Sequence, residues 1–585
     1  MSHDNSGQTS LAGRARPVQC RRSLWLARAP WLRVALAVLA LSALAQAPLL
    51  IGAPKLALSL PLEPLAVALL LLALPSGRAR WAVWPLAALL SVAWLVLAME
   101  RTAFTLLGRP LKLWLDLQLV QPALELISGS MSLGIAVSVG LLLLVLPPLV
   151  LWAFWRLGRS LEAASAPRLA IAGAAVALTG MAAAPQAPHL TASFLYDALA
   201  FQVDRSLRVA QERPLFEAEL ALDPLAGLGD GFPGPQPLAG LEGADVVLLF
   251  VESYGQAALT DPRYAPRIRG TLREIEADLE AAGLARASGW LRSPTRGGQS
   301  WLAHASLMSG LWIDTQDRWD LLVSSERRLL TQAFAAAGYE TALVMPAIVR
   351  AWPEAAFFAF DRHYFRDEMG YAGPPYAWVT MPDQYSLAVL ERDLLAASGP
   401  RDAGRPPVFA KVALISSHAP WTPIPPVIDD WSAIGDGALF STWAEPPIPP
   451  RELWLDGAAV RAAYLEALEY VLRTLGSWLQ QPWERPRLVL IVGDHEAGAV
   501  VSGPGRGSVV PIHVMSDRPE LVLRLAQAGL AEGLLPPAGQ NDSLPPRMSD
   551  FRSRFLDAFA APAGPGPSVD GLPGDDPSGE ARTGS

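Results

Sequence analysis

The chain has 585 residues, a net charge of −8 and a single cysteine, Cys20, with a mean hydropathy of +0.26. This length predicts several domains, because compact domains rarely exceed about 250–300 residues. The charge is unevenly divided, since residues 1–184 carry +9 and the remainder −17. The acidic remainder argues against a nucleic-acid partner, which would require a basic surface. A single cysteine also excludes an intramolecular disulfide.

Five long apolar runs precede residue 185. They cover residues 34–52, 56–75, 81–99, 132–155 and 169–183. Each approaches the ~20 residues that a helix needs to cross a bilayer. We therefore predict an all-α transmembrane domain of five helices over residues 34–184. A helical bundle buried in a water-soluble protein is the alternative.

Arginines between these runs predict the orientation. They lie in the basic tail 1–33, after the second run (Arg78, Arg80), and between the fourth and fifth runs (Arg156, Arg159). With five alternating helices all three places fall on one side. The positive-inside rule then puts the basic tail in the cytoplasm and the chain after residue 184 on the outside.

The outer part is predicted to contain a linker with a helical segment (185–240), a catalytic domain (241–560) and a disordered tail (561–585) that is rich in Pro, Gly and Ser. Within the catalytic domain, short apolar runs alternate with helical patterns. The runs cover 245–251, 339–346, 407–416 and 487–493, and the helical patterns cover 263–283, 327–338 and 455–480. This alternation predicts an α/β fold with a mostly parallel sheet covered on both faces.

Acids and histidines follow three of the predicted strands. Glu252 follows the first, His418 the third, and Asp494 and His495 the last. Ligands of parallel sheets bind beyond the carboxyl ends of the strands. Carboxylates with an imidazole suit Mn²⁺ or Zn²⁺, and carboxylates alone also admit Mg²⁺. We predict one divalent metal ion, Mn²⁺ in the first instance, with Glu252, Asp494 and His495 as ligands.

Ser300 is the candidate nucleophile and fourth ligand. It lies at the start of a predicted helix in GGQSWLAHASLMSG. A serine hydroxyl is a weak nucleophile at neutral pH, and a bound cation is one way to activate it; a helix cap is the alternative role. His304, four residues later, shares a helix face with Ser300 and is a second candidate catalytic residue, with packing or a surface position as its alternatives.

Four stretches, VVLLFVESYG, GGQSWLAHASLMSG, ISSHAPW and VGDHEAG, occur in this order and resemble the sulfatase-like branch of the alkaline phosphatase superfamily. The resemblance is to lipoteichoic acid synthase and related membrane phosphoglycerol transferases, in which five membrane helices precede an extracytoplasmic catalytic domain. It implies that the family's metal-binding Glu is Glu252 and its Asp-His pair is Asp494 and His495. It also implies that the nucleophile, usually Thr, is Ser300.

The resemblance further implies that His418 binds substrate and that Trp352 lies near a glycerophosphate pocket. The chain departs from the pattern at Glu354, where the family has an Arg two places after that Trp. Arg350, on the other side of Trp352, is the candidate replacement for binding phosphate.

The implied activity is the transfer of a phosphoglycerol-type head group from a phospholipid donor to a glycan or glycolipid acceptor. The reaction would pass through phospho-Ser300, with His418 or His304 orienting substrate or moving a proton. The implied location is the bacterial inner (cytoplasmic) membrane, with several membrane passes and the catalytic domain on the periplasmic or extracellular side.

Three alternatives stay open. They are a phosphoethanolamine transferase, whose relatives usually contain several disulfides, a phosphodiesterase-type hydrolase, and a non-catalytic membrane scaffold. Sulfate-ester hydrolysis is disfavoured, because conversion to formylglycine requires Pro and Arg at the positions held by Leu302 and His304.

Overall fold

The computed structural model describes residues 30–51, 60–107, 111, 133–161, 191–192, 194–226, 238–395, 404–527, 529–538 and 544–560. The contacts divide the chain into two units. The first comprises Met1–Arg101 and Gly140–Val203, and the second Thr102–Val139 and Asp204–Ser585.

The described residues before 238 are mostly helical. Their elements are α1 (Pro30–Gln46), a 3₁₀ turn (Ala47–Leu50), β1 (Leu60–Pro61), α2 (Leu62–Ala73), α3 (Ser76–Leu107), α4 (Leu133–Arg159), β2 (Thr191–Ala192) and α5 (Phe194–Ala221). Strands β1 and β2 form a two-stranded parallel sheet.

Two helices of the described segments are long and apolar enough to cross a membrane, Gly77–Thr105 within α3 and Gly140–Arg159 within α4. The second apolar run gives only the 12-residue α2, which at 1.5 Å per residue spans about 18 Å of a ~30 Å hydrocarbon core. It ends at Leu74, whose backbone is extended, as expected for a residue before proline.

The first apolar run forms the 17-residue α1 and a 3₁₀ turn, and the fifth run, 169–183, lies outside the described residues. The expectation of five membrane-spanning helices is therefore not confirmed.

Strands and helices alternate from residue 239 onward. The strands are β3 (Asp245–Val251), β4 (Ala285–Arg292), β5 (Glu340–Met345), β6 (Arg362–Phe365), β7 (Val408–Leu414), β8 (Arg487–Gly493), β9 (Val509–Ser516) and β10 (Ala531–Glu532). The helices are α6 (Gln256–Thr260), α7 (Ala265–Ala281), α8 (Ser300–Ser309), α9 (Gln316–Val323), α10 (Leu330–Ala336), α11 (Ala355–Phe358), α12 (Asp383–Leu390), α13 (Pro450–Leu453), α14 (Gly457–Leu479), α15 (Ala499–Ser502), α16 (Pro519–Ala526) and α17 (Phe551–Phe559). Short 3₁₀ or π turns cover Ala239–Leu241, Glu391–Leu395, Trp431–Ile434, Ala438–Trp443 and Met548–Asp550.

The eight strands β3 to β10 form one sheet in the order β10-β4-β9-β8-β3-β7-β5-β6. Strands β8, β3, β7, β5 and β6 are mutually parallel, and β9, β4 and β10 add antiparallel pairs at one edge. The predicted α/β fold with a mostly parallel sheet is confirmed. The antiparallel strands β4 and β9 were not predicted, because polar residues and a proline interrupt their apolar patterns.

Both faces of the sheet are buried. Along β3, Val247 and Leu249 belong to one apolar core, and Val246 and Leu248 belong to the core on the opposite face. Helices α7 and α14 contribute to the first core, and α8 and α17 to the second. Burial on both sides explains why β3 is a continuous apolar run rather than an alternating one.

The strand directions bring several loops to one edge of the sheet. Parallel strands β3, β5, β7 and β8 end there, and β4 ends there too, since it is antiparallel to β9, which is antiparallel to β8. The loops after these five strands therefore meet and lead the chain, among other places, to Ser300 at the start of α8.

Candidate active site

The predicted metal ligands meet at this edge of the sheet. One potential ligand atom each from Glu252, Asp494 and His495 lies within 4.8 Å of the others. The Nε2 atom of His495 is 3.3 Å from Glu252 Oε1 and 3.7 Å from Asp494 Oδ2. All three residues are buried or nearly so.

Ser300 lies beside the same three residues. Its hydroxyl donates a hydrogen bond of 2.9 Å to Glu252 Oε2 and is 3.3 Å from His495 Nε2. The turn before it places Gln299 at φ 65°, a left-handed conformation that is uncommon for residues other than glycine. This tight turn brings the first residue of α8 to the end of β3.

Local hydrogen bonds orient the ligands. His495 donates from Nδ1 to the carbonyl oxygen of Glu496 at 3.1 Å, so its Nε2 atom faces the group, as in many metal-binding histidines. Asp494 Oδ1 accepts the backbone N–H groups of Ser253 at 2.8 Å and His495 at 2.6 Å. Its other oxygen remains directed toward His495 Nε2.

The electrostatics of this group favour a cation. Burial raises the pKa of Asp494 well above its ordinary value, and the neighbouring Glu252 carboxylate raises it further. Burial opposes protonation of His495, but the Asp494 and Glu252 carboxylates outweigh it and raise its pKa to about 9. Two carboxylates, an imidazole and a hydroxyl therefore fit a divalent ion, which would balance the clustered negative charge.

Two glycines allow the ligand-bearing loops to approach. A Cβ atom on Gly493 would lie 1.9 Å from the carbonyl oxygen of Tyr254, and one on Gly255 would lie 2.4 Å from the Glu496 carboxyl group. Glu496 also accepts the N–H of Ala257 at 2.9 Å. The loops after β3 and β8 are thus packed together without room for a side chain at either glycine, which fixes the spacing of Glu252 and Asp494.

A cavity of about 560 Å³ opens beside Ser300. Its lining is rich in aromatic side chains, namely Phe250, Trp301, Trp319, Trp352 and Trp378, with Gln299, Gln316, His304 and His418 among its polar members. Such a mixture of apolar walls with a few placed polar groups is typical of small-molecule sites.

Most of the site residues that the sequence predicts lie at this cavity or beside it. Ser300, His304, Trp352 and His418 line the cavity together with Glu252 and Asp494, and His495 completes the ligand group. Arg350 is exposed and is not among the lining residues. Its assignment to substrate binding stays a prediction.

His418 is held on two sides. Its Nδ1 donates to the carbonyl oxygen of Ala419 at 2.6 Å, and its ring stacks on Trp378 with centroids 3.8 Å apart. Asp383 anchors the start of its loop by accepting the N–H groups of Ile415 at 2.7 Å and Ser416 at 3.0 Å. With Nδ1 acting as the donor, the Nε2 atom of His418 is left as an acceptor.

Sequence reasoning did not identify Trp301, Trp319, Trp378 or the buried Lys411, which hydrogen-bonds His304. Trp301 is the neighbour of Ser300 and could have been found from that position. Trp378 precedes His418 by 40 residues and becomes its neighbour only through folding.

No family model matches the chain, and no curated protein matches it. Among solved structures, it is similar to the lipoteichoic acid synthase LtaP of Listeria monocytogenes, with 15% identity and a TM-score of 0.32 over 47% of this chain and 65% of that one. The chain is also similar to an alkaline phosphatase superfamily protein of Vibrio parahaemolyticus, with 14% identity and a TM-score of 0.32 over 48% of this chain and 66% of that one. A third similar structure is the phosphoglycerol transferase GacH of Streptococcus pyogenes in complex with sn-glycerol-1-phosphate. The identity is 10% and the TM-score 0.33, over 60% of this chain and 91% of that one.

The chain spans slightly less than two thirds of the first two of these structures.

Proposed function

We propose that this protein is a membrane-anchored, metal-dependent phosphotransferase. It moves a phosphoglycerol-type head group from a phospholipid to a glycan or glycolipid acceptor of the cell envelope, through a phospho-Ser300 intermediate. The catalytic domain is residues 241–560, outside the cytoplasmic membrane.

One observation is the main support for this proposal. The Ser300 hydroxyl, at the mouth of a large aromatic cavity, lies within hydrogen-bonding distance of Glu252 and close to His495. A hydroxyl among two carboxylates and an imidazole is placed as a nucleophile that a cation would activate.

Glu252, Asp494, His495 and Ser300 would hold the ion, with Mn²⁺ first and Zn²⁺ or Mg²⁺ as alternatives. When bound, a divalent cation lowers the pKa of a coordinated hydroxyl and offsets the charge of phosphoryl oxygens.

In the first step, Ser300 Oγ attacks phosphorus of the phospholipid head group. The Ser300 hydroxyl gives up its proton as Oγ bonds to phosphorus, the bond from phosphorus to the diacylglycerol oxygen breaks, and that oxygen takes up one proton, so diacylglycerol leaves as the alcohol and the protons balance. The aromatic wall of the cavity excludes water from the phosphoserine ester that remains, which limits hydrolysis.

In the second step, an acceptor hydroxyl attacks the same phosphorus and the bond to Ser300 Oγ breaks. His418 is suited to accept the proton of this hydroxyl, because its Nδ1 is already a donor to Ala419 and its Nε2 is free to accept. Stacking against Trp378 fixes the plane of the ring during the transfer.

The two long apolar helices, Gly77–Thr105 and Gly140–Arg159, support the membrane attachment. A lipid donor makes attachment useful, because the catalytic domain then needs only to reach the bilayer surface.

The test uses the full chain in detergent with Mn²⁺ and head-group-labelled phosphatidylglycerol or phosphatidylethanolamine. We expect diacylglycerol release and a stoichiometric mass increase on Ser300. Ser300→Ala should lose at least about 10³-fold in activity, whereas Ser300→Thr, which keeps the hydroxyl, should retain most of it. Ser324→Ala is the matched control, because Ser324 is exposed at the end of α9 and bonds only backbone oxygens of its own helix.

Ser300→Ala that still releases diacylglycerol would contradict the nucleophile assignment. An adduct formed only from phosphatidylethanolamine would replace the proposed head group with phosphoethanolamine. Release of the free head group with every acceptor would make the protein a hydrolase.

A further inference from the structure

A buried lysine that the reaction above does not use lies against His304, one of the residues that line the cavity. Lys411 lies on β7, in the middle of the sheet, with only 3% of its surface exposed. It is one of three lysines in a chain with 47 Lys and Arg residues. Charged side chains are almost never buried to this degree without a specific partner.

The partner is His304. Lys411 Nζ lies 3.0 Å from His304 Nδ1, and 3.4 Å from the sulfur of Met345. The ring of Phe250 lies against both residues, 5.5 Å from Lys411 Nζ and 4.0 Å between ring centroids from His304. Phe250 and Met345 therefore pack around the Lys411–His304 contact.

Donor and acceptor roles follow from the chemistry of the two groups. Below the lowered pKa of Lys411, about 7, the side chain is an ammonium with three donors and no acceptor, so His304 Nδ1 accepts. Burial, followed by the charge of Lys411, lowers the pKa of His304 well below its ordinary value, so the imidazole is neutral. A neutral imidazole with an accepting Nδ1 carries its proton on Nε2.

The Nε2–H group of His304 is buried, and none of the described residues hydrogen-bonds to it. An unpaired buried donor costs about 1–3 kcal/mol, and His304 lines the same cavity as Ser300, one helical turn away on α8. The missing acceptor is therefore expected to arrive with a ligand of the cavity.

We propose that Lys411 is a positioning residue that fixes His304 as the Nε2–H tautomer, and that His304 donates this hydrogen bond to a phosphoryl oxygen of the substrate at Ser300. This inference rests on the proposed function for the identity of the substrate. It gives the two cavity histidines opposite roles, since His418 Nε2 accepts and His304 Nε2 donates. The transferred phosphoryl group would lie between them.

The tautomer can be measured without any turnover. The full chain is labelled with ¹⁵N-histidine, loaded with diamagnetic Zn²⁺ and studied by NMR one pH unit below the pKa of Lys411, which burial lowers to about 7. His304→Gln assigns the signals. We expect a non-protonated Nδ1 and a protonated Nε2 in the wild type, and loss of that preference in Lys411→Met. A proton on Nδ1, or an unchanged tautomer in Lys411→Met, would overturn the positioning role.

Inorganic phosphate tests the donor role. We expect phosphate to shift the Nε2–H signal of His304 in the wild type. The signal of His363, which lies on β6 and outside the cavity lining, should not shift. An unmoved His304 signal at saturating phosphate would contradict the proposal. His363→Gln serves as the matched histidine control and should behave as the wild type.

Kinetics separate positioning from structure. We expect His304→Phe to lower kcat about 100-fold, as loss of a transition-state donor does, and His304→Gln, which keeps an N–H, to stay within about tenfold. Lys411→Met should lower kcat with little change in KM. Equal losses in the Gln and Phe variants would refute the donor role. If no phospholipid is a substrate, the proposed function fails while the NMR result still decides the tautomer.

Discussion

Two buried histidine clusters lie on the same sheet and differ in how their hydrogen bonds are satisfied. His513 on β9 contacts Ser288 Oγ from Nδ1 at 2.8 Å and Tyr254 OH from Nε2 at 3.1 Å, and Ser288 donates to the carbonyl oxygen of Gly533 at 2.7 Å. Each donor there meets an acceptor if the ring is neutral with its proton on Nδ1.

In the His495 cluster, the hydrogen-bond donors and acceptors are not matched in this way. The Nε2 atom of His495 faces Glu252 Oε1 and Asp494 Oδ2, both of which are acceptors. Only a proton or a cation among these atoms removes the repulsion. Composition alone does not separate the two clusters, since each joins a histidine to hydroxyl or carboxylate oxygens. What separates a structural network from a site is the surplus of acceptors.

The largest effect expected from this difference is on Asp494. Asp494→Asn removes one ligand charge, so we expect activity to fall at least about 10³-fold and the affinity for Mn²⁺ at least about 100-fold. The ion-free protein should be no less stable, because a buried carboxylate with a raised pKa is lost. Calorimetric titration measures the Mn²⁺ affinity, and thermal unfolding measures the stability of the ion-free protein. A large loss of ion-free stability would mean that Asp494 is structural.

The second effect concerns pH and the His513 cluster. Burial lowers the pKa of His513 to about 4, below the ~6.5 of an unfolded histidine. Between these values the unfolded chain binds the extra proton and the folded chain does not, so stability falls as the pH drops from 6.5 to 4. The loss is roughly 3 kcal/mol. Denaturant unfolding at several pH values should show that the free energy of unfolding falls less steeply with decreasing pH in His513→Asn than in the wild type. An identical pH dependence in the two proteins would contradict this.

A smaller loss is expected at Ser288. Ser288→Ala removes the acceptor for His513 Nδ1 and the donor to Gly533, which costs about 1–3 kcal/mol. Activity per folded molecule should not change, in contrast to Asp494→Asn. Urea unfolding and diacylglycerol release by the same preparation make the comparison. Loss of activity without loss of stability would place the His513 cluster in the site.

The smallest effect on activity is expected from a substitution in the cavity wall, at Trp378. Trp378→Leu removes the ring that stacks on His418 and should lower kcat/KM about tenfold, the equivalent of a stacking contact of about 1.4 kcal/mol. Mn²⁺ affinity should be unchanged, because Trp378 does not contact the ligand group. Trp443→Leu, at a tryptophan outside the cavity lining, is the matched control. Equal losses in both variants would remove the specific role of Trp378.

Much of the catalytic fold was predictable because its signals are local. The buried strands β3, β5, β7 and β8 are short apolar runs between helical patterns, and the residues that follow parallel strands at one edge must lie near each other. Glu252, His418, Asp494 and His495 were predicted to lie together in this way, and their functional roles stay predictions. The five predicted membrane-spanning helices are not confirmed, because the second run forms only the 12-residue α2 and the fifth run lies outside the described residues.

The sequence by itself determined the α/β architecture, the edge of the sheet at which the candidate site lies, and the residues placed there by the ends of strands. Only the tertiary structure decided which buried polar groups are paired. It placed Lys411 from the interior of β7 against His304 of α8, and Trp378 against His418. The physical reason is that period and composition report burial along one element, whereas hydrogen-bond partners come from other elements whose distance in the sequence fixes nothing about their distance in space.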